Sequence, residues 1–445
     1  MMTKEDNEML TRTGADTPMG VLFRRFWIPA LLSEELPGPD CPPLRVMLVG
    51  EKLIAFRDSQ GRVGLTERYC SHRGADLFYG RNEESGLRCV YHGWKFDVNG
   101  RCLEVPNAKV PQAFIDKCAI TAYPIVEKGG ILWAYMGPPE LKPELPMYHF
   151  LQVPESHYYV SKILVDGNYF QSMEGEADSG HVGFLHRFVN TSGSSAGSTG
   201  GNNYVNQVKH VHYEIEDDDY GLMMAARRDL PNGDGHWRAN LFLMPHTVPV
   251  ATPRGVTMTT HIRVPIDDEH SWLYRPRWHP DRPLTEAERT ALKHNGEDFP
   301  ELIPGTYVPK ENKSNNYLID RAAQRNFTFT GIKSLPAQDM AVQADQHGVI
   351  ADRTQENLVS SDRAIIMMRQ RLLAAARNLQ NGKEPPEASR PEAYNVRAMD
   401  VIIPAGVDWR IAMASAMAVD KPWIADPAPA AGKALAPIRQ QKVIE

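Results

Sequence analysis

Cys70-Ser-His72 and, sixteen residues further on, Cys89-Val-Tyr-His92 make two short metal-binding loops, each with one thiol and one imidazole. A structural zinc site usually draws like ligands from each loop, as in Cys-x2–4-Cys followed by His-x3–5-His. Mixed loops suit a two-iron cluster instead, in which one iron takes both thiolates, the other takes both imidazoles, and each loop straddles the pair. The surrounding fold must therefore present two tight turns side by side. Gly74 and Gly93, just after the two histidines, let the backbone bend closely around an inorganic core. Arg68-Tyr69 and Leu87-Arg88 read as strand ends leading into the loops, and residues 96–103 read as a hairpin turning at Asn99-Gly100. Cys41, Cys102 and Cys118 form no Cys-x-x-Cys pair and are expected to be small buried apolar groups.

This ligand set is that of a Rieske [2Fe–2S] centre, whose histidine-bound iron lifts its potential above that of an all-cysteine ferredoxin. Such a chain handles electrons. At 445 residues it has length for two or three domains. A net charge of −6 gives no electrostatic footprint for nucleic acid or an anionic membrane. Five cysteines do not make a disulfide framework, and ligand thiols need a reducing setting. The apolar run over 19–32 is broken by Arg24 and Arg25, so it reads as neither signal peptide nor membrane span. A soluble cytoplasmic protein is the expectation.

The chain divides near residue 150. Short β-type runs at 45–49, 53–57, 63–69, 87–98 and 131–136 predict a small antiparallel domain over 1–145, ended by the Pro-rich 137–146. A larger α+β domain over 146–420 is predicted, with a helix at 166–186 and a flexible Ser/Gly loop at 192–203. Strands at 208–215, 221–228, 237–243, 256–264 and 272–277 follow, with helices at 285–293 and 362–379, the latter capped by Ser361 and ended before Gly382. An Ala/Pro-rich tail occupies 421–445.

Within the larger domain, Asp178-Ser-Gly-His181-Val-Gly-Phe-Leu-His186 supplies two histidines which, with a distant carboxylate, make the facial triad of a mononuclear non-haem Fe(II) site. Asp178 lies one turn before His181, so a continuous helix would put both on one face. It reads as the group that accepts the outer N–H of a ligating imidazole, not as a ligand. An upstream electron donor gives such a site its purpose.

From about residue 20 to 405 the chain resembles the large terminal subunit of Rieske ring-hydroxylating oxygenases, in the phthalate 4,5-dioxygenase-like group. The resemblance rests on the ligand loops, on Gly20-Val-Leu-Phe-Arg-Arg-Phe-Trp-Ile-Pro29 and on Glu127-Lys-Gly-Gly-Ile-Leu-Trp-Ala-Tyr-Met-Gly137. It rests also on Gln338-Asp339 and Asp352-Arg353-Thr354-Gln355-Glu356. It implies a small all-β Rieske domain followed by a helix-grip (START/Bet v1-like) catalytic domain, and a catabolic oxidoreductase of aromatic compounds. It points to Asp339 as third iron ligand, while Asp345 and Asp352 compete on spacing alone. It implies Asp178 as an electron bridge across the interfaces of a homotrimer or stacked hexamer, and a separate flavin and iron–sulfur reductase oxidising NADH. Consistently, no Gly-x-Gly-x-x-Gly dinucleotide fingerprint is present.

The substrate is less legible. The pocket is expected to be apolar, lined by residues 222–224, 241–244 and 327–329, with Arg227, Arg228 and Arg238 as candidate anchors for an aromatic carboxylate such as phthalate. Dihydroxylation of such a ring is the leading reading. O-dealkylation of an aryl ether by the same machinery is the alternative, and a non-catalytic electron carrier is a third, disfavoured by Asp178, His181 and His186.

Overall fold

A computed structural model describes residues 2–189, 204–294 and 298–423. The loop expected at 192–203 and the tail beyond 423 lie outside the described residues.

The first part of the chain is built from three small antiparallel sheets. Strand β1 (Trp27–Leu32) is buried along its whole length. Strands β2 (Leu44–Leu48), β3 (Glu51–Arg57) and β4 (Val63–Glu67) form a meander. Four very short strands follow, β5 (Arg81–Glu83), β6 (Gly86–Arg88), β7 (Lys95–Phe96) and β8 (Cys102–Glu104), in sequential order in one sheet. Strand β9 (Ala122–Tyr123) completes the meander against β4, while β10 (Ile125–Lys128) and β11 (Ile131–Tyr135) join β1. The continuous run expected over 87–98 is interrupted: residues 89–94 leave the ladder to form the second ligand loop. The Asn99-Gly100 turn joins β7 to β8 as expected, with Gly100 at φ +76°. Ile54, Phe56, Leu77, Leu87, Trp94 and Phe96 fill a core of their own beneath the loops. Of the three spare cysteines only Cys102 is buried; Cys41 and Cys118 are half-buried.

The larger part is built on one eight-stranded antiparallel sheet. Its strands are β12 (Tyr158–Val165), β13 (His212–Asp218), β14 (Gly221–Asp229), β15 (Gly235–Leu243), β16 (Thr247–Val250), β17 (Met258–Pro265), β18 (Ser271–Trp278) and β19 (Met399–Ile403). The order is β12-β18-β17-β16-β15-β14-β13, with β19 paired to β15. Sequence patterning located five of these; β12 and β19 were missed because their partners are remote in sequence, and β16 because it is four residues long and carries a proline. Helices Tyr169–Ala177 and Leu335–Gln343 pack on each other, and the first also packs on β15, β16 and β17. The long helix Arg363–Gln380 covers β13 and β14 and also packs on helices Lys4–Thr11 and Pro18–Phe23, so the N-terminal segment joins the larger core. Its N-cap is Asp362, with no side-chain cap bond, not Ser361, which belongs to a preceding 3-10 turn; Gly382 follows its end as expected.

The helix expected over 166–186 is two helices, Tyr169–Ala177 and Val182–Leu185. Asp178 ends the first. Its carboxylate accepts the backbone N–H groups of Gly180 at 2.6 Å and His181 at 3.2 Å, a local alternative to helical bonding. Glu174, on the same helix, is buried between Arg353 and Arg369, and Arg369 also reaches Glu356. The Asp352–Glu356 motif thus contributes two residues to the network that anchors this helix.

Candidate metal centres

The two ligand loops are copies in hydrogen bonding. Cys70 N–H donates to Ala75 O at 2.9 Å and Cys89 N–H to Trp94 O at 2.8 Å; Gly74 and Gly93 return their N–H groups to the two cysteine carbonyls, both at 2.9 Å. Both glycines hold positive φ, +68° and +78°, and a Cβ on Gly93 would stand 2.7 Å from Pro106 Cγ. The cysteines are each 3% exposed, whereas both histidines are half-buried, with ring centroids 4.5 Å apart. Thiols inside and imidazoles outside is the split that a cluster with one sulfur-bound and one nitrogen-bound iron requires. Burial pushes the Cys70 thiol up to about 11, with the amides of His72 and Arg73 opposing it, so a cation is needed to keep it as thiolate. The residues fit the cluster. Trp94 stacks on His72 at 4.6 Å, fixed by its indole N–H on Asn107 Oδ1 at 2.9 Å.

The second centre forms where Val182–Leu185 meets helix Leu335–Gln343. His181, His186 and Asp339 offer ligand atoms that all lie within 4.8 Å of one another, the one such group among the described residues. Asp339 Oδ1 is 3.4 Å from His186 Nε2 and 3.7 Å from His181 Nε2, and it is buried without a hydrogen-bond partner. A buried carboxylate oxygen facing two imidazole nitrogens lacks one thing, a cation. Asp345 instead points at Lys313 from an exposed position, and Asp352 caps a 3-10 turn. Asp178 Oδ2 lies 3.3 Å from His181 Nδ1. Burial pushes His181 down, but Asp178, Asp339 and Glu176 more than offset it and hold the imidazole above its usual value. Tyr213 clamps the backbone on both sides of Asp178: its hydroxyl accepts Ser179 N–H at 2.5 Å and donates to Ala177 O at 3.2 Å.

A cavity of about 260 Å³ opens beside these ligands, and its wall differs from expectation. Residues 222–224, 241–244 and 327–329 do not line it: Leu222, Met224 and 241–244 are in the core, and Phe327 and Phe329 face outward. From β15 the cavity receives Arg238 and Asn240 instead. Of the three arginines considered, Arg227 is exposed and pairs with Asp229, while buried Arg228 donates to Ser179 O; only Arg238 reaches the cavity. Missed altogether were Arg263, Arg275, Arg277 and His261. Their signal was present as basic residues two apart on β17 and β18, which puts each pair on one face of its strand. Glu176 pairs with His261 and Arg263, and Asp298 Oδ2 lies 3.3 Å from Arg277. Arg238 Nε and Nη1, and the Nε of Arg263, Arg275 and Arg277, are buried without a hydrogen-bond partner, although Arg238 Nε lies 3.6 Å from Asp400 Oδ2.

Residues 26–124 match the Rieske [2Fe-2S] domain, and residues 134–429 match the family described as LigXa C-terminal domain like. The chain belongs to the Rieske oxygenases. It is 38% identical, over 92% of its length and 94% of the relative's, to the phthalate 4,5-dioxygenase oxygenase subunit of Pseudomonas putida. It is 35% identical to the 3-chlorobenzoate-3,4-dioxygenase oxygenase subunit of Comamonas testosteroni, over 93% of this chain and 98% of the other. The 5,5'-dehydrodivanillate O-demethylase oxygenase subunit of a Sphingobium species is 32% identical over 89% of this chain and 85% of its own. The fold is shared with dicamba monooxygenase bound to dicamba, at TM-score 0.55 and 19% identity over 81% of this chain and 99% of that one. The Rieske oxygenase described here is thus an aromatic ring-hydroxylating terminal oxygenase subunit, with a Rieske domain, a non-haem iron domain and electrons that originate from NADH through a reductase. Among the described residues no helix is long and apolar enough to cross a membrane.

Proposed function

We propose that this oxygenase dihydroxylates an aromatic carboxylate, with Cys70, Cys89, His72 and His92 holding the cluster and His181, His186 and Asp339 holding the mononuclear iron. Once bound, the cluster supplies single electrons and the iron activates dioxygen. The observation that carries the substrate class is the cationic wall of the cavity, to which Arg238, Arg263, Arg275 and Arg277 all contribute. A buried donor without an acceptor is costly, and a carboxylate of the ligand supplies one in charge-assisted form. Arg238, 6% exposed, is the anchor from β15, and Arg275 and Arg277 orient the ring from β18. Glu176 neutralises Arg263, and Asp400 and Asp298 lie beside Arg238 and Arg277, which limits how many anionic groups the cavity accepts. Phthalate, named in one relative, is of this class.

Asp178, 24% exposed and in contact with His181, is assigned the bridge for electrons. Exposed apolar side chains flank both centres, Val90 and Tyr91 next to His92, and Phe184 and Phe329 around the short helix bearing His186. They support a homotrimer or stacked hexamer in which copies pair these faces head to tail. The division of labour follows the chain, cluster on 1–145 and iron on 146–420. Ligand thiols that must stay reduced, and a reductase partner, support a cytoplasmic location.

The deciding experiment supplies a generic reductase and a panel of aromatic acids, neutral analogues and aryl ethers, and follows NADH, oxygen and identified products. Carboxylates giving a cis-dihydrodiol or catechol are expected. Turnover confined to methoxylated rings, yielding a phenol plus aldehyde, would instead establish the O-demethylase reading that the Sphingobium relative favours. Sedimentation is expected to give three or six chains; a fully active monomer would exclude the relay between copies.

A further inference from the structure

Gln338 precedes Asp339 on helix Leu335–Gln343, is 3% exposed and has both ends of its amide engaged. Its Nε2 donates to the Ile332 carbonyl at 2.9 Å, and its Oε1 lies 2.8 Å from His186 Nδ1. A carbonyl only accepts, so the amide nitrogen must face Ile332 and the amide oxygen must face the histidine. That oxygen also only accepts, which leaves a proton on Nδ1 of His186 and a lone pair on Nε2. Nε2 is the atom 3.4 Å from the unpartnered Asp339 Oδ1. The backbone of residue 332 thus dictates, through one side chain, which nitrogen of His186 is free to bind a metal. The other histidine is set differently, by the carboxylate of Asp178 at 3.3 Å from His181 Nδ1.

We propose that Gln338 is the positioning residue that holds His186 in the Nδ1–H tautomer for iron, and that its neutrality makes the two imidazoles unequal donors. His181 leans on an anion, and His186 leans on a neutral amide. A carboxylate at 338 would add a fourth negative charge beside Asp178, Glu176 and Asp339, which line the cavity for an anionic substrate. This rests on the reading of His186 as an iron ligand.

The test compares Gln338→Leu, of similar size but without an acceptor, with Gln338→Glu, which keeps the acceptor towards His186 and gives up the donor to Ile332. Mononuclear iron retained against a graded chelator is measured per cluster, and the visible absorption of the cluster serves as folding standard within the same chain. Gln338→Leu is expected to lose about 10–100-fold in iron affinity with its cluster intact. Gln338→Glu is expected to keep its iron and to raise KM for an aromatic carboxylate more than for a neutral analogue. Wild-type iron retention in Gln338→Leu, or iron loss in Gln338→Glu equal to it, overturns the proposal. If the leucine variant lacks the cluster as well, the glutamate variant decides alone: retained iron supports the role, lost iron ends it. His186→Ala separates the two readings, since iron held tightly in that variant refutes the ligand assignment itself.

Discussion

Asp178 Oδ2 and His181 Nδ1 stand 3.3 Å apart across a break between two helices, and the same oxygen takes the backbone N–H of His181 at 3.2 Å. One carboxylate therefore both ends a helix and orients a candidate iron ligand, so its charge can be removed with little change of shape. Asp178→Asn is expected to keep both iron centres yet lower product formation by about 100-fold. Rapid mixing of reduced protein with substrate and oxygen checks this; cluster oxidation as fast as in the wild type would remove Asp178 from the electron path.

Asp339→Asn separates the two centres by composition. The variant keeps the brown colour of its cluster, and its iron content falls from three per chain towards two with turnover lost, because an amide does not supply the anionic oxygen that faces His181 and His186. Full activity in this variant would return the third ligand position to Asp345 or Asp352.

Arg238 is the most exacting test of substrate class. Arg238→Met keeps the bulk and removes five donors, and a hydrogen-bonded charge of this kind is worth about 1.5–3 kcal/mol. KM for an aromatic acid should rise about 10–100-fold while a neutral ring of the same shape is little affected. Equal effects on both would mean that Arg238 supports the wall and does not recognise a carboxylate.

Acid stability carries a sign set by two buried histidines. Burial lowers His149 and His246 to about 4 from 6.5. His246 is held neutral between Thr247 Oγ1 at 2.9 Å and the Trp27 carbonyl at 3.1 Å. Each takes up its proton more readily when unfolded, so its contribution is complete above about pH 6.5 and is lost as pH falls towards 4, on the order of 3 kcal/mol apiece. Denaturant midpoints of the wild type should fall over that window, and those of His246→Gln should fall less steeply. Parallel slopes would count against the assignment.

Glu174 anchors the helix that leads into Asp178. Arg353→Met removes one of its two buried cationic partners and should destabilise the fold by about 3–5 kcal/mol, read as a lower Tm with the ligand residues unchanged. A shift of a degree or less would show that Arg369 suffices.

The cluster loops were legible because their determinants are local. Cysteine, histidine and glycine at fixed offsets specify a turn whose hydrogen bonds close within six residues, and the structure repeats that turn twice. The helix 363–380 and the strands of the central hairpins were legible for the same reason, since periodicity and turn residues act over short distances. The helix break at Asp178 was not, because Asp-x-Gly competes with helical bonding only when its carboxylate has backbone N–H groups to take.

By itself the sequence determined the two-iron ligand set, the pair of histidines downstream and the order of the two parts, since each is written in residues a few positions apart. Spacing left Asp339, Asp345 and Asp352 open and only the resemblance pointed to Asp339; tertiary structure brings Asp339 to His181 and His186 and makes the cavity wall cationic. Asp339 lies more than 150 residues beyond His186, and Arg238, Arg263 and Arg275 come from three different strands. The pairing of strands remote in sequence in one sheet, with helices packed on it, brings such residues to a common volume, and no local rule of spacing encodes that convergence.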